Sequence, residues 1–353
     1  MQAAVHLPDT PVLKIDKNSE IPKPGPDQVL LKVQASGICH SDVFFLSQYP
    51  EDPRTYIMGH ECSGIAVALG SNVKNIKKDH RYTVSSLSGG CAQSLTRRSA
   101  PKHTPAQDPT QGYFSTPSFG IGANGGHAEY AVADASALVP VPDNVLPEHA
   151  AIAGDSGVTA WHAVKTTASV KKGDKVMITG IGGLGLLAVQ FAVHLGAEVY
   201  AVDMRSSSRE LALKFGAKKA FDLIDLDTEL QNGFTVDTAI DFVATDTTFQ
   251  KDLKAVSTEI FNTGLTRAGR VVIVGVSDQN IVINDLAGIY SGVHILFSLY
   301  GTLQEIAEVL DLFSKGHIKP VVTKRPLREA NKAYDELRAN LVLSRNVSRS
   351  WFA

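Results

Sequence analysis

The chain of 353 residues is poor in cysteine, with only Cys39, Cys62 and Cys91. So few exclude a disulfide framework, and an odd count in a reducing compartment points to free thiols or metal ligands. It also lacks an excess of charge of either sign. Lys and Arg total 34 against 36 Asp and Glu, a formal net charge of -2, and no run of like charges occurs. Nothing general therefore draws the chain to nucleic acid or an anionic membrane, and its expected partners are small molecules. The first residues, MQAAVHLPDT, lack a basic stretch followed by an apolar core, which predicts a cytoplasmic location. Internal repeats and low-complexity tracts are absent too. The most apolar stretch, 176–203, is broken by glycines and by Gln190, His194 and Glu198, which excludes a membrane span.

That same stretch, VMITGIGGLGLLAVQFAVHLGAEVYAVD, has the grammar of a dinucleotide-binding unit. Residues 176–179 suit a buried parallel strand, and Gly180, Gly182 and Gly185 supply the G-x-G-x-x-G spacing. The first glycine allows a tight turn, the second lets the backbone approach a pyrophosphate, and the third lets helix and strand pack closely. Leu184, Leu187, Ala188, Phe191, Ala192 and Leu195 recur at helical spacing until Gly196. The helix start at Gly183 and Leu184 then directs free N–H groups and a positive dipole end at the phosphates. A second strand, 198–202, ends in Asp203, placed to take both ribose hydroxyls of the adenosine. Asp203 favours NAD(H) over NADP(H), and Arg205 two residues on complicates that preference, since arginine can take a 2′-phosphate. Val274, in the strand run 270–276, is assigned to the same groove. A lone glycine motif is weak, and a tight turn that binds nothing is its bland alternative. The strand, helix, second strand and terminal acid together carry the assignment.

The flanking chain divides in two. Up to about Pro140 short strand candidates (29–33, 64–67, 127–132) alternate with turn signals and predict a β-rich, barrel-like domain. Residues 85–126 read as a long polar excursion from it. From Ala150 strand runs (237–243, 270–276, 294–299) alternate with helical stretches (209–215, 249–261), the pattern of a doubly wound parallel sheet. Thr302 and Glu305 have capping-box spacing ahead of a helix closed by Gly316, and Leu327, Ala330, Tyr334 and Leu337 mark one more. The fold class is α/β, with a catalytic domain over 1–154 and 300–353 and a Rossmann domain over 155–299.

Ahead of the nucleotide unit lie GICHSD (37–42) and GHE (59–61), and at 155–164 DSGVTAWHAV. Cys39 offers a thiolate and His60 an imidazole, both ligand types for catalytic zinc. Singly, each is more often a small buried hydrophobe or a satisfied core histidine. Taken together, in this order and at these separations, these stretches and the nucleotide unit make the chain resemble the zinc-dependent medium-chain alcohol dehydrogenases and carbonyl reductases, from near the N-terminus to about Arg345. The resemblance implies a GroES-like catalytic domain and one catalytic Zn²⁺ per chain. Its ligands would be Cys39 and His60, with Glu61 an adjacent carboxylate or exchangeable ligand, Asp42 orienting the set and Ser41 handling the proton. His40 on the pyrophosphate, Thr159 at the nicotinamide and Arg345 on a phosphate follow from the same resemblance. So does hydride transfer between NAD(H) and an alcohol, ketone or aldehyde.

Three departures from the family pattern matter. Asp155 stands where many relatives have a cysteine; a carboxylate oxygen can still bind zinc, and Asp155 is kept as the third ligand, its alternative being an N-cap on the following helix. The excursion holds only Cys91 where many relatives carry four cysteines, so no structural zinc is expected, and His103 in that polar loop is more simply solvated. Phe44 replaces a relay histidine of many relatives, so the proton path from Ser41 is expected to run through the cofactor ribose to water. Cys62 should face away from the ligands. Rival readings are a zinc-independent medium-chain reductase of C=C or imine bonds and a cofactor-binding protein without turnover. A homo-oligomer, dimer or tetramer, is expected, with the apolar stretch 280–298 at a sheet edge.

Overall fold

In the computed structural model the chain is described over residues 1–8, 10–48, 54–86, 118–256, 269–277, 279–285, 288–289 and 292–349. It forms two compact units: Met1–Val158 with Gly301–Gly316 and Pro320–Ala353, and Thr159–Tyr300 with His317–Lys319. The expected seam at 154/155 thus falls four residues before the observed one, and Asp155 belongs to the first unit.

The first unit is built on a sheet in the order Leu138–Pro140, Arg81–Val84, Glu61–Leu69, Gln28–Ile38, Arg345–Arg349, Val322–Pro326. Gln28–Ile38 alternates as its sequence predicts. Val29, Leu31 and Val33 enter a core with Cys62, Ala66, Tyr82 and Val84. Its register against Glu61–Leu69 shifts twice, between Leu30 and Leu31 and between Val33 and Ala35. Such irregularities bend a strand, and this one pairs Tyr130–Asp134 near its start and Arg345–Arg349 at its end. The expected strand 127–132 is displaced to Tyr130–Asp134 because the preceding backbone is committed elsewhere: His127 N–H bonds Met58 O, and Glu129 N–H bonds Gln2 O.

Helices absent from the sequence reading position the chemistry. His40–Gln48 follows the central strand directly. Pro147–Ile152 continues through a π-helical turn, Ala153–Gly157, into Val158–Trp161, so Asp155 lies inside a helical segment and is not the N-cap of one. The capping box forms as expected, with Thr302 and Glu305 bonded reciprocally at the start of Leu303–Ser314. Ala330–Arg338 buries Ala330, Ala333, Tyr334 and Leu337 against Ile38, Leu46 and Met58.

The second unit is a six-stranded parallel sheet. Its order is Lys219–Phe221, Glu198–Val202, Lys175–Thr179, Thr238–Asp241, Arg270–Ile273, His294–Phe297. Numbered along this unit the order is 3-2-1-4-5-6, the doubly wound arrangement of dinucleotide-binding folds. The expected strand 237–243 stops at Asp241, whose carboxylate accepts the N–H groups of Val243 and Ala244 and turns the chain. The helix expected over 249–261 runs Asp246–Val256, and its remaining expected residues lie outside the described ones.

Candidate metal centre and nucleotide turn

Cys39, His60, Glu61 and Asp155 each offer a ligand atom, and these atoms all lie within 4.8 Å of one another. Three separate stretches converge on one point. Cys39 is the link between the strand Gln28–Ile38 and the helix His40–Gln48, and Asp42 in that helix fixes it from both sides. The Cys39 N–H donates to Asp42 Oδ2 at 3.0 Å, and the Asp42 N–H donates to Cys39 O at 3.1 Å. The other oxygen, Oδ1, pairs with His60 Nδ1 at 2.8 Å. One buried carboxylate therefore orients two of the four groups, and His60 is left to present Nε2, 3.3 Å from Asp155 Oδ2. Cys39 Sγ lies 3.8 Å from that same oxygen and 3.6 Å from Ser41 Oγ.

Glu61 is wholly buried at the start of its strand, where Arg345 reaches it through Nε at 3.2 Å and through Nη2. The Ser156 N–H, beside Asp155, donates to Glu61 Oε1 at 3.3 Å. Gly37 makes room for this carboxylate: a Cβ there would stand 1.8 Å from Glu61 Oε2. Burial raises the Glu61 pKa despite Arg345, with Asp155 adding to the rise. Burial works the same way on Asp155, but His60 and Arg345 outweigh it and hold that carboxyl below its ordinary range. On His60 burial opposes charge, and Asp42 with Asp155 overcome it and raise the ring's pKa well above the usual value. Asp42, Glu61 and Asp155 thus crowd Cys39, His60 and Arg345 in one buried site. A thiol, an imidazole and a carboxylate converging within this distance fit a divalent, borderline-soft ion such as zinc.

Other residues singled out in the sequence fall as follows. Ser41 and His40 are exposed at the start of their helix, and Phe44 packs edge-on to Phe45 with ring centroids 5.8 Å apart. Cys62 faces the core, away from the ligands, and burial pushes its thiol up to about 12. Cys91 and His103 lie outside the described residues. Arg345, expected on a phosphate, has its guanidinium on Glu61 and 3.8 Å from Asp155 because a buried carboxylate needs a buried counter-charge. Gly37 and Ser156 escaped the sequence reading. Gly37 stands two residues before Cys39, and its glycine identity was the available signal.

In the second unit the glycine turn has the geometry its spacing implies. Gly180 has φ +87°, a left-handed conformation that a side chain strains. A Cβ on Gly185 would come within 1.9 Å of Gly180 O, whereas one on Gly182 would meet nothing within 4 Å. Gly182 caps the helix Gly183–His194, so open space lies over a helix N-terminus, where a pyrophosphate fits. Leu184 is half-buried in the first helical turn. Asp203 closes on this turn. Its Oδ2 accepts the Ile181 N–H at 2.8 Å, and its Oδ1 accepts the Arg205 N–H at 2.8 Å and Arg205 Nε at 3.3 Å. Val274 is half-buried with its N–H on Asp241 O at 2.9 Å, and Thr159 is half-buried in the turn Val158–Trp161.

Known proteins match both halves of this picture. Residues 25–143 match the alcohol dehydrogenase GroES-like domain and residues 183–315 the zinc-binding dehydrogenase domain. An alcohol dehydrogenase of Geobacillus stearothermophilus is 31% identical over 91% of each chain. An NAD-dependent alcohol dehydrogenase of Sulfolobus acidocaldarius is 30% identical over 94% of each. The solved structure of acetophenone reductase from Geotrichum candidum in complex with NAD superposes with a TM-score of 0.81 at 29% identity. That superposition covers 99% of this chain and 97% of the other.

Proposed function

The chain belongs to the medium-chain, zinc-binding alcohol dehydrogenases, and from that premise we propose that Cys39, His60 and Asp155 hold one catalytic zinc with Glu61 beside them. The activity is NAD-linked oxidoreduction of alcohols and ketones, with zinc and NAD(H) as cofactors. The convergence of the four donor groups within 4.8 Å carries the ligand assignment. When bound, the zinc supplies a Lewis acid for the substrate oxygen and the nicotinamide donates or accepts the hydride.

The chain's own residues bind, orient and move the proton. Asp42 holds Cys39 and His60 in register, so the ligand set is preorganised before metal enters. Glu61, neutralised by Arg345, stands next to the set without competing for its charge. Ser41 is exposed beside Cys39 Sγ, and its hydroxyl exchanges the proton with the reacting oxygen. Gly180, Gly182, Gly183, Leu184 and Gly185 shape the pyrophosphate seat, and Asp203 with Arg205 borders the ribose. His40, Thr159 and Val274 belong to the cofactor's surroundings in the same proposal, and the Arg345 guanidinium contributes through Glu61.

The substrate is a small alcohol or carbonyl compound, and the protein works as a homo-oligomer. Support for the latter is the edge strand His294–Phe297, where Phe297 is 73% exposed. Among the described residues no helix is long and apolar enough to cross a membrane, and a cytoplasmic location is part of the proposal. The ligand assignment is tested by elemental analysis of protein freed of loose metal, together with NADH oxidation by assorted ketones. One zinc equivalent, lost along with turnover in Cys39→Ser, is expected. Full activity in Cys39→Ser would refute the assignment.

A further inference from the structure

In the second unit the turn between the strand Glu198–Val202 and the helix Ser206–Lys214 is held in an uncommon way. Its N-cap position is occupied by Arg205, whose side chain makes no capping hydrogen bond, where Ser, Thr, Asp or Asn is the usual choice. A second arginine, one turn inside the helix, reaches back instead. Arg209 Nη1 donates to Asp203 O at 2.8 Å and to Met204 O at 2.9 Å. Its Nη2 lies 4.0 Å from Asp222 Oδ2. Asp222 is itself fixed as the N-cap of the helix Leu223–Gln231, where it accepts the Ile224 and Asp225 N–H groups, each at 2.9 Å. The guanidinium is thus half-buried between the turn and a neighbouring helix end.

This brace is joined to the Asp203 carboxylate through a single peptide group. The Met204 carbonyl and the Arg205 N–H belong to one planar trans peptide, so they point in opposite directions. Arg209 holds the oxygen end, and the nitrogen end donates to Asp203 Oδ1 at 2.8 Å. Rotating that peptide away from Arg209 would therefore take the N–H away from the carboxylate. A cationic donor on the carbonyl also polarises the peptide and strengthens its N–H as a donor.

The remaining groups of Asp203 are held as well. Its N–H donates to Phe221 O at 3.1 Å, its carbonyl accepts from Arg209, and Oδ2 accepts the Ile181 N–H of the glycine turn at 2.8 Å. An ionised carboxylate has about four acceptor sites, so Asp203 can take these N–H groups and still accept from ribose hydroxyls. The line of bonds runs from Arg209 through the peptide of Met204 and Arg205 to Asp203 and on to the glycine turn.

We propose that Arg209 is a positioning residue for the adenosine end of the cofactor, which fixes the peptide that aims the Asp203 carboxylate and so helps to set the preference for NAD(H) over NADP(H). The proposal rests on the reading of Asp203 as the ribose acceptor. It is tested by fluorescence titration of the full-length zinc-loaded protein with NADH and with NADPH. The proteins compared are wild type, Arg209→Ala, Arg209→Lys, Asp203→Ala and the double variant Asp203→Ala/Arg209→Ala. Arg209→Ala is expected to weaken NADH binding about tenfold and NADPH binding by no more than about twofold, which narrows the preference. Arg209→Lys keeps the charge but replaces the planar fork with a compact ammonium, so it narrows the preference to a smaller extent. The double variant should show the same preference as Asp203→Ala, because a group that acts through Asp203 has nothing to act on once that carboxylate is gone. Arg209→Ala with a sharpened preference for NADH would assign the guanidinium to attraction of a 2′-phosphate and overturn the proposal. A preference within about twofold of wild type, beside a lowered melting temperature, would make Arg209 a brace of the fold alone and overturn it too. Should Arg209→Ala fail to fold, Arg209→Lys decides in its place. An unchanged preference in Asp203→Ala would remove the reading of Asp203 and the proposal together, whereas a preference altered in Asp203→Ala but not in Arg209→Ala would remove the proposal alone.

Discussion

Thr179 donates a 2.8 Å hydrogen bond to Asp252, and the second oxygen of that fully buried carboxyl has no partner. Burial, and then the nearby Asp241, raise the Asp252 pKa well above its ordinary value of 3.8. A group whose pKa is raised on folding contributes stability that is fully present below its unfolded pKa and is lost as pH climbs through the folded one. Asp252 therefore weakens the nucleotide unit increasingly as pH rises from the acid range toward neutrality.

Asp252→Asn keeps the shape, retains an acceptor for Thr179 and removes the ionisation. The variant no longer has a carboxyl whose ionisation the fold opposes, so it is expected to melt higher than wild type at neutral pH. Its advantage should shrink as pH falls toward the ordinary carboxylate range. Melting curves of both proteins across that pH series are the check, and an advantage that grows on acidification would contradict the argument.

The glycine turn gives a paired prediction. Gly182→Ala places its methyl in open space, so the protein should fold and melt as wild type, while the methyl occupies the approach of the pyrophosphate. A loss of NADH affinity of about tenfold or more is expected. Gly185→Ala forces a Cβ against Gly180 O and should lower stability and cofactor binding together. Titration of NADH fluorescence beside thermal melts separates the two; a Gly182→Ala protein that binds NADH normally would place the phosphates elsewhere.

Ser41→Ala should lower kcat more than it raises KM. In its proposed role the hydroxyl acts where charge develops on the substrate oxygen, and such groups typically contribute about 10² to 10⁴ in rate. Steady-state kinetics with one good ketone decide this, and a raised KM at unchanged kcat would assign Ser41 to binding.

Local signals made much of this molecule legible. The turn at Gly180 to Gly185, the strand Glu198–Val202 and the capping box of Thr302 and Glu305 each depend on neighbours in sequence, and each formed as read. The helix His40–Gln48 did not show, because Val43, Phe44, Phe45 and Leu46 make a contiguous apolar run without helical spacing. Cys39, His60 and Asp155 were named through a resemblance, since no spacing reveals that a π-helical turn carries Asp155 toward them. Arg345 meets Glu61 across 284 positions and Tyr334 meets His127 across 207. Pairings of that range are set by how the strands and helices pack, and one sequence holds no local trace of them.

In the proposed cofactor groove the choice between NAD(H) and NADP(H) would fall to Asp203 and Arg205, which are bonded to one another. Asp203 Oδ1 accepts both the Arg205 N–H and Arg205 Nε, while Oδ2 accepts the Ile181 N–H. The carboxylate is thus fixed at the rim of the glycine turn, at the end of the second strand of the unit, where the adenosine ribose is held in such folds. A 2′-phosphate brought there meets a like charge. At ~4 Å and an effective dielectric near 20, one pair of unit charges costs about 4 kcal/mol before solvent relaxes it. Arg205 offsets part of this, yet its Nε is already turned to Asp203, so a phosphate would have to compete with that carboxylate for the guanidinium. NADH is therefore expected to give the higher kcat/KM with wild type. Asp203→Ala removes the repulsion and releases Arg205 to a phosphate, so the preference should narrow or invert, whereas Arg205→Ala should sharpen it. Kinetics of the three proteins with NADH and NADPH and a single ketone provide the comparison. Equal or better use of NADPH by wild type would show that Arg205, and not Asp203, governs this end of the groove.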